Sequence, residues 1–139
     1  MASANVDLVR SIIAAWEGGD YSSADWAHPE IELVFADGPS PGTWTGLTGL
    51  AEGWRSILSA WEEYRHEADD YRELDDERVL VLHHWSGRGK TSGLDVGRMR
   101  TQAAILFHVR DGKVTRLVGY FDRNRAFADL GLPSETDSP

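Results

Sequence analysis

The segment from Met99 to Leu132 constrains the fold most. It reads as a strand from Arg100 to Val109, a tight turn at Arg110-Asp111-Gly112-Lys113, and a second strand from Val114 to Asp122. A short helix then stops at Gly131. Asp-Gly tolerates positive φ at both central positions, so it marks a two-residue hairpin and sets the pairing. With Asp111 and Gly112 as the loop, Val109 faces Val114, Phe107 faces Arg116, Ile105 faces Val118, Ala103 faces Tyr120 and Thr101 faces Asp122. Directly opposed residues share a face. This register gathers Phe107, Ile105, Val118 and Ala103 into an apolar stripe that ends in Tyr120 and Asp122. A phenol and a carboxylate at the end of such a stripe predict a pocket wall. Asp122 also suits the N-cap of the helix from Arg123 to Leu130, and the two roles are compatible.

Upstream, Val6, Val9, Ile12, Ile13 and Trp16 recur at helical spacing, and Gly18-Gly19 ends that helix. Asp20 to Ala27 reads as a second, shorter helix broken by Pro29. Ile31 to Phe35 is strand-like and leads into a loop from Ala36 to Gly42. Leu47, Leu50, Trp54, Ile57, Leu58 and Trp61 form the stripe of the longest helix, with Thr48 as a cap candidate. Gly53 within that helix predicts a close approach by backbone or ligand, because Gly costs a helix ~1 kcal/mol relative to Ala. Strands follow at Arg65–Leu74, Val79–Gly87 and Val96–Val109. Helices first and strands in succession predict an α+β fold, a curved, mostly antiparallel sheet wrapped as a cone around three N-terminal and central helices. The chain has 139 residues and no internal repeat, so one domain spans it, with a core of about 5–132 and a loose tail at 133–139.

The central strands are apolar on both faces. Val79 and Val81 lie on one side, Leu80 and Leu82 on the other. One face takes the helices. The second needs a cover, and a second copy of the chain, a homodimer through the outer sheet face, is the simplest. Residues two apart in a strand share a face, so His83 and Trp85 follow Val79 and Val81 into the cone while His84 points away.

Composition narrows the function. A net charge of −9, from 23 acids against 14 Lys and Arg, argues against nucleic acid and anionic membranes. No apolar run approaches the ~20 residues of a membrane span, and residues 1–20 lack a leader pattern, so the expected location is cytoplasmic. With no cysteine, thiolate chemistry and Cys-ligated metals are excluded. No His-x₃-His or carboxylate cluster supports a metal. Gly87-Arg88-Gly89-Lys90-Thr91-Ser92-Gly93 joins two strands with no helix after it, so it is no phosphate cradle. No cofactor is implied. Six Trp is a high count, and Trp needs a partner for its N–H when buried, which favours a cavity or interface.

Several short segments occur in one order: Trp16-Glu17-Gly18-Gly19-Asp20, His28-Pro29-Glu30-Ile31-Glu32, Gly46-Leu47-Thr48-Gly49-Leu50, Arg110 to Arg116, Gly119-Tyr120-Phe121-Asp122-Arg123 and Ala126 to Leu132. In this order and spacing the chain resembles the NTF2-like superfamily, and within it the SnoaL-like group of polyketide-cyclase relatives. The resemblance implies a small-molecule pocket inside the cone and cofactor-free acid/base chemistry in its catalytic branches. It places Asp122 where SnoaL-type cyclases carry a general base. His83 and Trp85 stand where limonene-epoxide-hydrolase relatives carry an Arg and an Asp, so that chemistry is not implied. Asp37 stands near the general base of ketosteroid-isomerase relatives. Their oxyanion pair is replaced by Ile12 and by Thr101 or Gln102.

The candidate catalytic set is therefore Asp122, His83, Tyr120 and Asp37. The bland alternatives are a helix cap for Asp122, a core histidine for His83 and a local turn for Asp37. The expected pocket is lined by Trp16, Trp54, Trp61, Trp85, Phe107, Ile105 and Val118. It suits a small apolar or aromatic molecule, bound for catalysis or simply held.

Overall fold

The computed structural model describes residues 4–20, 25–37, 42–89 and 101–132, with side chains described outside 57–66, 86–89 and 101. The elements run α1 (Ala4–Glu17), β1 (Ala27–Phe35), β2 (Gly42–Thr45), α2 (Gly46–Ala60), β3 (Trp61–Asp75), β4 (Arg78–Gly89), β5 (Thr101–Arg110), β6 (Lys113–Tyr120) and α3 (Arg123–Leu130). Six strands form one sheet in the order β2-β1-β6-β5-β4-β3. Only β1 and β6 pair in parallel; the other neighbours are antiparallel. The α+β architecture expected above is the one observed.

Alternation along the strands sends side chains to two cores. On the inner face Leu33, Phe35, Val79, Val81, Ile105, Phe107 and Leu117 pack against Val6, Val9, Ile12, Ile13 and Trp16 of α1 and Leu50 and Trp54 of α2. On the outer face Leu80, Leu82, Ala104, Leu106, Val118 and Tyr120 pack against Ala126 and Phe127 of α3. The third helix is thus C-terminal and lies on the opposite face from the other two. Leu80 and Leu82 are buried within the single chain. Leu117 and Phe121 belong to the inner side. The cover that the sequence reading assigned to a second copy comes from α3, and the reason given for a homodimer is removed.

Three local features differ from expectation. The proposed helix at 20–27 is not observed over its end: Asp25 and Trp26 form a turn, β1 begins at Ala27 and runs through Pro29, and residues 21–24 lie outside the described set. The loop read over Ala36–Gly42 ends in a short edge strand, β2, which pairs Trp44 with Leu33. The hairpin turn has the expected form, with Asp111 at φ 52 and Gly112 at φ 76. Beyond it the register slips. Val109 pairs with Val114, but His108 pairs with Arg116, Phe107 with Leu117, Leu106 with Val118 and Ala104 with Tyr120. Thr115 is the extra residue of a β-bulge, and its hydroxyl donates to the His108 carbonyl at 3.3 Å. A one-residue slip exchanges the two faces of a strand. Val118 and Tyr120 therefore move to the outer core, and Leu117 takes the inner place.

Candidate functional site

A cavity lies between α1, α2 and the inner face of the sheet. Trp16, Leu33, Phe35, Trp54, His83, Trp85, Ala103, Ala104, Ile105, Leu117, Gly119, Tyr120 and Phe121 line it. It encloses about 30 Å³, room for about two waters at the ~10–15 Å³ each requires. Trp16 is its aromatic floor. Its ring meets Trp54 edge-on at 4.7 Å and stacks on Phe107 at 5.9 Å. Each such pair adds ~0.5–1.5 kcal/mol beyond the area it buries. Trp85 closes the opposite end, edge-on to Phe121 at 5.4 Å.

α2 comes close to the sheet because it carries glycine at the contact. A Cβ at Gly53 would sit 2.4 Å from Leu33 Cδ2, so any larger residue there makes the Leu33 side chain shift. The close approach expected at Gly53 is thus an approach to Leu33.

The cavity has few polar groups. His83 is buried at 4% exposure, and its Nδ1 is buried, as are the indole Nε1 atoms of Trp54 and Trp85. Among the described residues no carboxylate lines it. Such a wall can hold an apolar ring. Among the described lining residues His83 is the imidazole a proton relay could use.

The remaining predicted residues are dispersed. Asp122 is exposed and caps α3, accepting from the Asn124 N–H at 3.0 Å; it is not on the cavity wall, because the bulge rotates β6 before the strand reaches it. Asp37 spends its carboxylate on backbone 84 and 85 residues away, accepting from the Phe121 N–H at 2.6 Å and the Asp122 N–H at 3.2 Å. It is a clamp between the end of β1 and the β6–α3 link. The Tyr120 phenol is held up from its ordinary value by burial, then by the charge and hydrogen bond of Asp129. That bond directs it toward α3 rather than into the cavity. Phe107 lies in the core beneath Trp16 and Val118 on the outer face, so neither lines the cavity. Trp61 opens β3, and its side chain lies outside the described residues. Among the described residues no group of three or more His, Cys, Asp or Glu is placed to hold a metal, and no helix is long and apolar enough to cross a membrane.

One network escaped the sequence reading. Arg123, at the first turn of α3, is buried at 5% exposure. It donates to the Ala103 carbonyl at 3.1 Å, the His83 carbonyl at 2.8 Å and Asp69 Oδ2 at 2.8 Å. Asp69 is the extra residue of a bulge in β3, between the pairs Ala68–His83 and Asp70–Leu82. Its other oxygen meets His84 Nδ1 at 2.9 Å. A carboxylate only accepts, so that nitrogen carries the proton. Burial pushes the Asp69 carboxyl up. Hydrogen bonds and charge from Arg123 and His84 outweigh it and hold the group below its usual value. The network ties β3, β4 and β5 to α3 directly behind His83 and Ala103. The adjacent acids Asp69-Asp70 within a strand pattern were the available signal for that bulge.

Comparison with known proteins places the chain. Residues 9–117 match the model of the SnoaL-like domain. No curated protein matches. Among solved structures, TerC co-crystallised with polyporic acid is 23% identical, with 92% of this chain and 98% of that chain covered and a TM-score of 0.72. An NTF2-like protein of unknown function from Burkholderia pseudomallei K96243 is 20% identical, covering 91% and 97%, with a TM-score of 0.75. A protein with a ketosteroid isomerase-like fold from Catenulispora acidiphila DSM 44928, in complex with trimethylamine, is 18% identical, covering 96% and 98%, with a TM-score of 0.66. At these identities the likeness is one of fold. With the family match spanning most of the chain, this protein belongs to the SnoaL-like domain family, on an NTF2-like α+β cone.

Proposed function

We propose that this chain binds a small, flat, apolar molecule in the cavity between α1, α2 and the inner sheet face. The observation that carries this reading is the composition of the wall among the described residues: aromatic and aliphatic side chains, three buried ring nitrogens and no carboxylate. Two neighbours of the same fold, TerC with polyporic acid and the Catenulispora protein with trimethylamine, were solved with small molecules, which supports a ligand site here. The cavity at rest is smaller than an aromatic ring, so binding requires its aromatic walls to part. Thermal melting and tryptophan fluorescence against a panel of aromatic, quinone, steroid and terpenoid compounds test the reading. A ligand at 100 times its Kd raises stability by ~2.7 kcal/mol. A panel that moves neither signal contradicts it.

A second reading is catalytic. His83 is the buried imidazole on the wall, and a positioned general acid or base contributes ~10²–10⁴-fold. In this reading His83 acts without the carboxylate partner that Asp122 or Asp37 was expected to supply. His83→Gln then keeps binding and loses turnover at least ~10²-fold. Unchanged turnover in that variant excludes the role.

A further inference from the structure

We propose that Phe121 is the gate of this cavity and that Asp37 is the residue that positions it. The inference rests on the reading of the cavity as a ligand site and adds how the site opens. Among the described lining residues all are buried except Gly119 and Phe121, which are half-buried. Phe121 is therefore the one side chain beyond a glycine that is both half-buried and on the cavity wall among the described residues. Its ring is wedged between two strands, edge-on to Trp85 of β4 at 5.4 Å and to Phe35 of β1 at 6.4 Å. It sits in the two-residue link between β6 and α3, outside both elements.

The backbone of that link is held on both sides. Asp37 accepts the N–H groups of Phe121 and Asp122, Asp122 caps α3, and Arg123 is anchored to the carbonyls of His83 and Ala103. With the main chain pinned, the soft coordinate left is the Phe121 side chain. A ring swing about its first torsion exchanges two aromatic edges for solvent and uncovers Trp85 and the space beneath it. Contacts of that kind set an open fraction of about one in ten to one in a hundred. Entry is slowed by the same factor. Asp37 keeps the swinging ring aimed at the gap between Phe35 and Trp85, which is a positioning role and not a catalytic one.

The test uses the whole chain and two readouts. The first needs no ligand: acrylamide, a neutral quencher, reports how open the buried indoles are. The second is the association rate of a neutral apolar probe, N-phenyl-1-naphthylamine, by stopped flow. Phe121→Ala should raise the quenching constant and speed probe entry roughly tenfold or more, with the urea midpoint of Phe121→Leu, measured beside it, close to that of the parent. Asp37→Asn keeps one acceptor of two and should speed entry by less. Quenching that stays at the parent value in both folded Phe121 variants overturns the proposal. So does a rise that only tracks lost stability. Probe binding at an unchanged rate also overturns the gate while leaving the site reading intact. Absence of probe binding with a raised quenching constant supports the gate and counts against the site reading.

Discussion

Arg123 carries more of the structure than its place near the chain's end suggests. Its guanidinium reaches three acceptors on three strands. Removing it leaves two carbonyls and the Asp69 carboxylate with one donor fewer, in a site that excludes most water. Arg123→Met should cost about 3 kcal/mol, the low end of the range for breaking a buried pair because Asp69 is partly exposed. Arg123→Lys should recover little, since a point charge cannot span the three acceptors. Urea unfolding measures both. His108 makes a second prediction. It is flanked by Arg78 and Arg116 on the two neighbouring strands. Burial, then Arg116 and Arg78, hold its imidazole below the usual 6.5, against weaker help from Asp75 and Glu77. The unfolded chain therefore takes a proton at a higher pH than the folded one. The neutral ring's contribution is fully present above 6.5 and is lost as pH falls from there toward the lower folded value. His108→Gln should flatten the decline in stability as pH falls below the usual 6.5. Equal slopes for the two proteins would contradict this assignment.

At the scale of elements, glycine placement and bulges decide which side chains reach the cavity. Gly53→Ala gains ~1 kcal/mol of helix propensity but forces Leu33 out of its seat, an overpacking of ~1–3 kcal/mol. The net should be a loss of about 1 kcal/mol together with weaker binding, because Leu33 moves into the cavity. A variant that is more stable and binds normally would show that the contact is slack. The hairpin illustrates how far local chemistry reads. Asp111-Gly112 named the turn, and the turn has the expected positive φ values. The bulge at Thr115 has no comparable local mark, since it depends on which partner strand the chain meets. One unread residue turned Val118 and Tyr120 toward the outer core and left Asp122 off the cavity wall. On β4, where no bulge intervenes between Val79 and Trp85 in the pairing with β5, simple alternation put His83 and Trp85 on the cavity wall. β2 was missed for another reason: four residues after a Gly/Pro loop carry too little pattern to register as a strand.

On the scale of the whole molecule, two apolar layers share one sheet. α1 and α2 close the inner face and leave a narrow aromatic cavity; α3 closes the outer face and anchors the network behind that cavity. Order and spacing of short motifs sufficed to indicate the fold family, because those motifs sit at element ends where turn chemistry is strict. The position of the third helix was not legible, since an eight-residue amphipathic segment fits either face. The carboxylates at strand ends, Asp122 and Asp37, serve here as cap and clamp. The central claim is that the ligand site is the cavity walled by Trp54, Trp85 and His83. Its most direct measurement is a ¹⁵N–¹H spectrum of the indole and imidazole groups, recorded as a ligand found in the panel is added. The indole signals of Trp54 and Trp85 and the ring signals of His83 should shift together and saturate at one Kd, while Trp44, at the edge strand, stays in place. Saturable binding that moves Trp44 and leaves Trp54, Trp85 and His83 unchanged would put the site elsewhere and contradict the account.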